Sequence, residues 1–335
     1  MNVLVVGGAG YVGSVLCEKL IGYGHTVVVC DCGFFGFAGL TLIEDKIKIM
    51  KKDAFLLNNT DMKNIECVIN ISGLSNDPTA DFNSELNTKL NTELTYFLAK
   101  MSKTCGVKKF IFGSTCSIYD VGLDNEEKDI LMSEESEVNP VRFYSLSKLA
   151  AERAILELQD KNFDVLCLRK ATIFGYSPRM RYDLVVNTFI KDAIMHGKMF
   201  LHHGGEMWRP LININDVCEI YSRLVSENLN GIYNAVGFNI RVSEIALRIK
   251  ESLRQLGVES DVFSDYKIVK SSLRSYRVSG EKLRKYLNFE SSTTIQDSVV
   301  NIFSNIEKIK DFNNPVYYNI DWMKKNLQEW IKNWK

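Results

Sequence analysis

Tyr144 and Lys148 stand four positions apart in YSLSK, so a helix puts the phenol and the ammonium on one face, a single turn apart. A phenol with a pKa of about 10 is a poor base at neutral pH, but a neighbouring cation favours its phenolate. Proton exchange with an alcohol then becomes feasible. Upstream, FGSTCSIYD follows the apolar run KKFIF and offers Ser114, Thr115 and Ser117 as hydroxyls to complete a proton path. Read as a plain Ser/Thr turn, they would only satisfy their own backbone. YxxxK arises by chance in a chain with 14 tyrosines, and its weight comes from its place after five apparent strands.

A second pattern opens the chain. Gly7, Gly10 and Gly13 in GGAGYVG lie between a strand and a helical pattern. Glycines there let the backbone turn sharply and approach a pyrophosphate, which the N–H groups of the following helix stabilise. Asp31 closes the second apolar run, VVVCD, where a carboxylate accepts from ribose hydroxyls and repels an added 2′-phosphate. NAD is therefore the expected cofactor, rather than NADP. Asp53, after the run IKIM, is placed to reach the adenine amino group or to sit solvated in its loop.

The elements that must position these groups alternate. Strands are expected at Asn2 to Val6, Thr26 to Cys30, Cys67 to Ile71, Lys109 to Phe112 and Val165 to Leu168, with helices at Ser14 to Gly22, Leu86 to Met101 and Ala150 to Leu158. Near-continuous apolar strands between helices imply an α/β fold, a Rossmann-type doubly wound parallel sheet. Leu86, Leu90, Leu94, Phe97 or Leu98, and Met101 share one face, to be packed on the sheet or on a sister subunit. After Arg169 an irregular GYSPRMRYD and isolated helices at Ser243 to Leu256 and Gly280 to Tyr286 indicate a smaller interleaved C-terminal substrate lobe. The expected division is 1–168 plus about 211–236 for the NAD-binding domain, and 169–210 with 237–335 for the lobe. The last segment places Trp322, Leu327, Trp330 and Ile331 on one side of a helix packed on the body.

Apolar residues make up 46% of the 335, charged residues 24%, and the formal net charge is zero. Nothing in that balance favours nucleic acid or an anionic membrane as partner, so an anionic substrate must be held by local arginines. Cys17, Cys30, Cys32, Cys67, Cys105, Cys116, Cys167 and Cys218 form no CxxC pair and read as reduced, mostly core residues of a cytoplasmic protein. The histidines lack HExxH spacing, and His202 and His203 fall in a loop, so no metal site is expected. The apolar N-terminus lacks a basic flank and is not read as a signal sequence. No uninterrupted apolar stretch approaches the roughly 20 residues that span a bilayer.

Taken in order, GGAGYVG, VVVCD, NISGLSNDP, LNTELTYFLA, FGSTCSIYD, YSLSK, LRKATIFGYSPRMR and WRPLININD resemble the extended short-chain dehydrogenase/reductases, in particular their NAD-dependent nucleotide-sugar epimerases and dehydratases. The resemblance runs over nearly the whole chain. It implies that Thr115, Tyr144 and Lys148 are catalytic. It further implies that Gly7, Gly10, Tyr11, Val12, Gly13, Asp31, Asp53, Ala54, Ser72, Gly73 and Asn91 bind the cofactor alongside Tyr144 and Lys148. Ser75, Ser117, Thr172, Arg179, Asn187, Arg209 and Arg274 fall on substrate positions, with Arg181 a further candidate; Arg209 matches an arginine that grips the sugar-nucleotide diphosphate. The helices at 86–101 and 144–159 resemble the family's dimer interface, which implies a homodimer.

The departures bear on the reaction. The 4,6-dehydratases carry Asp-Glu after the catalytic Thr, where this chain has Cys116 and Ser117; the 3,5-epimerase/4-reductase branch has a cysteine where Ser117 stands. Lys170 replaces a frequent proline and Asp120 a usual glycine. What remains is oxidation at a ring carbon, C4, of a nucleotide-diphosphate sugar. Return of the hydride to the other face makes a 4-epimerase; release of the ketone makes a 4-dehydrogenase or, reversed, a ketoreductase. A non-catalytic NAD-binding sensor is the alternative of another class, expected to lose the Tyr or Lys that this chain keeps.

Overall fold

The computed structural model describes residues 1–120, 130–265, 275–308 and 311–333. Its first half comprises β1 (Asn2–Val6), α1 (Tyr11–Gly22), β2 (Thr26–Asp31), β3 (Lys48–Lys51), β4 (Cys67–Asn70), α2 (Asp77–Phe82), α3 (Ser84–Thr88), α4 (Leu94–Thr104), β5 (Lys109–Thr115), β6 (Leu131–Met132), α5 (Phe143–Leu156) and β7 (Asp164–Lys170). The second half follows with β8 (Thr172–Phe174), α6 (Val185–His196), β9 (Lys198–His202), β10 (Trp208–Asn213), α7 (Ile214–Ser226), β11 (Gly231–Ala235), β12 (Phe238–Arg241), α8 (Val242–Gln255), β13 (Asp261–Asp265), β14 (Arg277–Val278), α9 (Glu281–Leu287), α10 (Ile295–Ser304) and α11 (Asn319–Asn333).

Seven strands pair in the order β11-β7-β5-β4-β1-β2-β3, all parallel. Alternate side chains of one strand enter different cores, which is why the strands read as continuous apolar runs. Val3, Val5, Ile111, Leu166 and Leu168 pack with Leu16 and Leu20 of α1 and Leu224 of α7. Leu4, Val6, Phe110, Phe112 and Val165 pack with Leu94 and Leu98 of α4 and Ile155 of α5. Each such side chain, fully buried, contributes about 1.5–3 kcal/mol. The chain winds outward from β1 through β2 to β3, then resumes at β4 and winds the other way. Between β1 and β4 the loops diverge and leave a crevice at the carboxyl ends of the strands, the expected ligand position of such a sheet.

The remaining strands make small sheets: β12-β10-β8, β13-β9 and β14-β6. Six cysteines are buried, whereas Cys105 is half-buried and Cys32 exposed; none forms a disulfide. Among the described residues no helix is long and apolar enough to cross a membrane, and no His/Cys/Asp/Glu cluster is arranged for a metal.

Two helical expectations are corrected. The face expected as one helix from Leu86 to Met101 is interrupted by a π-helical turn at Lys89–Glu93, between α3 and α4. Asn91 lies in this turn and donates from Nδ2 to the Leu74 carbonyl at 3.1 Å, so the wider turn carries a polar contact to the loop after β4. On the last helix Met323, not Ile331, joins Leu327 and Trp330 on the packed side; Ile331 is exposed. Met323 and Trp330 stand seven positions, or about two turns, apart with Leu327 between them, which sets the packed face to one side of Ile331.

Candidate active site

The loop after β1 shows why its residues must be small. Gly7 has φ +87°, and a Cβ there would lie 2.9 Å from the Ser72 backbone; a Cβ on Gly13 would collide with the Gly7 carbonyl. Tyr11, Val12 and Gly13 form the first turn of α1, whose N–H groups have no carbonyl of their own helix to serve. This is a cradle shaped for the close approach of an anion. Asp31 at the end of β2 accepts from the N–H groups of Ala9 at 3.0 Å and Gly33 at 2.8 Å, which fixes the carboxylate beside the cradle. Burial raises its pKa, and those two hydrogen bonds oppose the shift. Residues that could hold the dinucleotide thus converge, and their geometry fits it.

Two connected cavities lie at this end of the sheet. One of about 390 Å³ is lined by Gly7, Gly10, Tyr11, Val12, Gly13, Ser72, Gly73, Ser75, Thr115, Ser117, Tyr144, Lys148, Thr172, Arg179 and Arg209 among others. A second of about 160 Å³ shares Gly7, Gly10, Ser72 and Gly73 and adds Asp31, Asp53 and Ala54. Two expected contacts do not line either cavity. Asn91 sits behind Gly73 and is bonded to Leu74, Asn87 and Ser147. Asn187 is fully buried and spent on Tyr11, Gly175 and Arg181. Arg274 lies outside the described residues.

At the chemical end, β5 delivers Thr115 and α5 delivers Tyr144 and Lys148, one turn apart. The Thr115 hydroxyl donates to Ser117 Oγ at 3.0 Å and lies close enough to the Tyr144 phenol to favour its ionisation. Burial pushes Tyr144 up to about 12, opposed by Thr115 and by the charge of Arg181. Lys148 donates to the Gly113 carbonyl at 3.3 Å, lies over the Phe112 ring, and is lowered by burial to about 7, with Glu152 opposing. Arg181 adds a second cation near the phenol, beside the Lys148 that shares its helix face.

Lys170 also lines the larger cavity. Burial holds its amine well below the ordinary lysine range, and the neighbouring charge of Lys148 adds to the shift. The register pairs it with Thr115, so the position that departs from the family's proline is in the site itself. Asp120, the other departure, is buried close enough to Arg209 for its charge to oppose the loss of the guanidinium proton.

The irregular stretch after β8 supplies a charged wall. Arg181 is clamped on Asp183 at 2.8 and 2.9 Å and donates to Ser75 Oγ at 3.0 Å. Burial alone would raise Asp183, but Arg181 holds it below the ordinary carboxylate range. Arg179 is buried beside Ser14 of α1, stacks over Phe35 at 4.0 Å and donates to Asn319 at 2.8 Å. Its Nε has no hydrogen-bond partner, and burial beside Arg181 lowers the guanidinium to about 9. A buried cation left short of partners in a cavity is suited to an anion. Asp183, Asn319, Tyr276 and the Phe34–Phe35 pair also line the cavities, although no local spacing marks them in the sequence.

A profile described as the NAD dependent epimerase/dehydratase family matches residues 3–236. A dTDP-D-glucose 4,6-dehydratase of Dictyostelium discoideum is 27% identical over 263 residues, 73% of this chain; the match spans 60% of that relative's length. An uncharacterized UDP-glucose epimerase, YtcB, of Bacillus subtilis is 23% identical over 90% of this chain and 96% of its own. In fold the chain is similar to the UDP-glucuronic acid 4-epimerase of Bacillus cereus solved with UDP-glucuronic acid and NAD, at 21% identity and TM-score 0.78, covering 92% of this chain and all of that one. A UDP-glucose 4-epimerase of Thermotoga maritima solved with UDP-glucose matches at 21% identity and TM-score 0.79, over 93% and 100%. With the profile spanning most of the chain and the cradle fitted to a dinucleotide, this protein belongs to the NAD dependent epimerase/dehydratase family and is an NAD-dependent enzyme.

Proposed function

We propose that the chain is a 4-epimerase acting on a nucleotide-diphosphate sugar. Bound NAD supplies the oxidant that takes hydride from the ring carbon. The protein's own groups handle the proton: Tyr144 accepts it from the sugar hydroxyl, Thr115 orients that hydroxyl, and Lys148 holds the cofactor side of the site. Arg209 and Arg181 serve the substrate diphosphate, whereas Arg179, set against α1, serves the pyrophosphate of the dinucleotide.

The two residues after Thr115 favour epimerisation over dehydration. Cys116 is buried, donates its thiol to the Arg169 carbonyl at 3.2 Å, and is pushed well up by burial, so it offers no proton. Ser117 lines the cavity but carries no acid. Elimination of water across two carbons needs an acid and a base there, and neither position supplies one.

Tyr96 on α4 and Phe143 and Leu146 on α5 are apolar side chains left exposed on the two helices that suit a second copy, and a homodimer is expected by light scattering. The activity is tested by incubating the purified protein with a panel of nucleotide sugars while following absorbance at 340 nm and product by NMR. Inverted C4 product without net NADH supports the reading. A released ketone with NADH accumulating makes it a dehydrogenase, and inactivity on every sugar overturns it.

A further inference from the structure

The last helix, α11, lies beyond residue 236, where the family profile stops, yet it returns to the cofactor side of the sheet. Its first residue bridges the charged wall: Asn319 accepts from Arg179 and donates to Ser75 Oγ at 2.9 Å. One turn on, Trp322 Nε1 donates to the Phe34 carbonyl at 2.6 Å. Further along, Trp330 meets Phe34 edge-on at 4.9 Å. Met323, Leu327 and Trp330 then close the 160 Å³ cavity from outside, opposite the loops that carry Asp31 and Asp53. Leu86 and Leu90 complete the apolar surround.

An aromatic, apolar slot with carboxylates at its edge suits a flat purine whose faces are apolar and whose amino group and ribose hydroxyls are donors. We propose that α11 forms the outer wall of the adenosine site, with Met323, Leu327 and Trp330 packing on the adenine, so that NAD leaves only when this helix lifts. Anchorage of its first turn by Asn319 and Trp322, with Trp330 set against Phe34 farther along, explains why a terminal segment can do this. The Trp322–Phe34 bond ties the helix to the loop after β2, and Asn319 ties its start to the arginine beside α1. Burying the purine between Leu90 and Trp330 removes it from water on both faces, which slows dissociation without any new charge. The inference concerns cofactor retention and is independent of which sugar carbon reacts.

The test uses the whole protein freed of nucleotide, with AMP as the probe of the adenosine half and nicotinamide mononucleotide as the probe of the other half. Because a base stacks on an aromatic side chain, Trp330→Ala is expected to weaken AMP roughly tenfold and to speed NAD release by a similar factor. Affinity for nicotinamide mononucleotide stays unchanged. Trp330→Phe preserves the packing, and in that protein the quenching of tryptophan fluorescence by AMP is expected to fall, whereas Trp322→Phe retains it. Unchanged AMP affinity in Trp330→Ala overturns the proposal. Equal loss of both half-ligands also overturns it, because that reports general damage, and if Trp330→Ala does not fold, full quenching in Trp330→Phe does so.

Discussion

Glu152 of α5 holds Arg169 of β7 through both carboxylate oxygens, with Nε at 3.1 and 3.2 Å and Nη2 at 2.7 Å, and both side chains are buried. The pair locks the helix that carries Tyr144 and Lys148 to the strand that carries Lys170. Removing one partner strands the other charge inside the protein. Glu152→Ala is therefore expected to cost about 3–5 kcal/mol, read by urea unfolding. A loss below about 1 kcal/mol would show that water reaches Arg169.

Tyr144→Phe keeps the ring in its buried slot and deletes the hydroxyl that meets Thr115. Turnover is expected to fall by roughly 10²–10⁴-fold while NAD binding is preserved. Retained turnover would move the proton transfer to another group.

Lys148 gives a pH signature in the nucleotide-free protein. Its amine titrates near 7 when folded, against an ordinary 10.5. Between those values the unfolded chain binds a proton that the folded one does not, so this group's contribution to stability rises with pH from about 7. Above pH 9 the buried thiols of Cys30 and Cys67, pushed to about 12, reverse the slope, because only the unfolded chain then loses their protons. The melting temperature is expected to climb between pH 7 and 9, and Lys148→Met should reduce that climb. Lys170, likewise depressed by burial, keeps part of the climb in the variant, so a wild-type profile with no rise, or a climb undiminished in Lys148→Met, contradicts the assignment.

Arg179 sets stability against binding. Its guanidinium is buried beside Arg181 with Nε unpartnered. Arg179→Met removes a like-charge neighbour and an unsatisfied donor, so the nucleotide-free protein is expected to melt a few degrees higher. The same change withdraws a cation from the cradle and should weaken NAD about tenfold or more, measured by calorimetry. Unchanged NAD affinity would assign Arg179 to structure alone.

The sequence by itself carried the parts of the site whose geometry is local. Gly7, Gly10 and Gly13 announce a strand-to-helix turn because only a residue without Cβ fits there; Tyr144 and Lys148 share a face because four residues make about one helical turn. Asp31 follows from the length of one βαβ step. Tertiary structure decided what depends on chain segments far apart. Asn91 and Asn187, marked by order along the chain, are buried behind the cavities, since a helix position specifies a face but not what packs on it. Leu90 and Leu94, legible as sheet contacts, do pack on the sheet, and together with Leu86 they also line the smaller cavity opposite α11. That closure joins residues more than 200 positions apart, and its partners, an indole N–H on a backbone carbonyl and a leucine on a leucine, leave no spacing in the sequence from which it could be read.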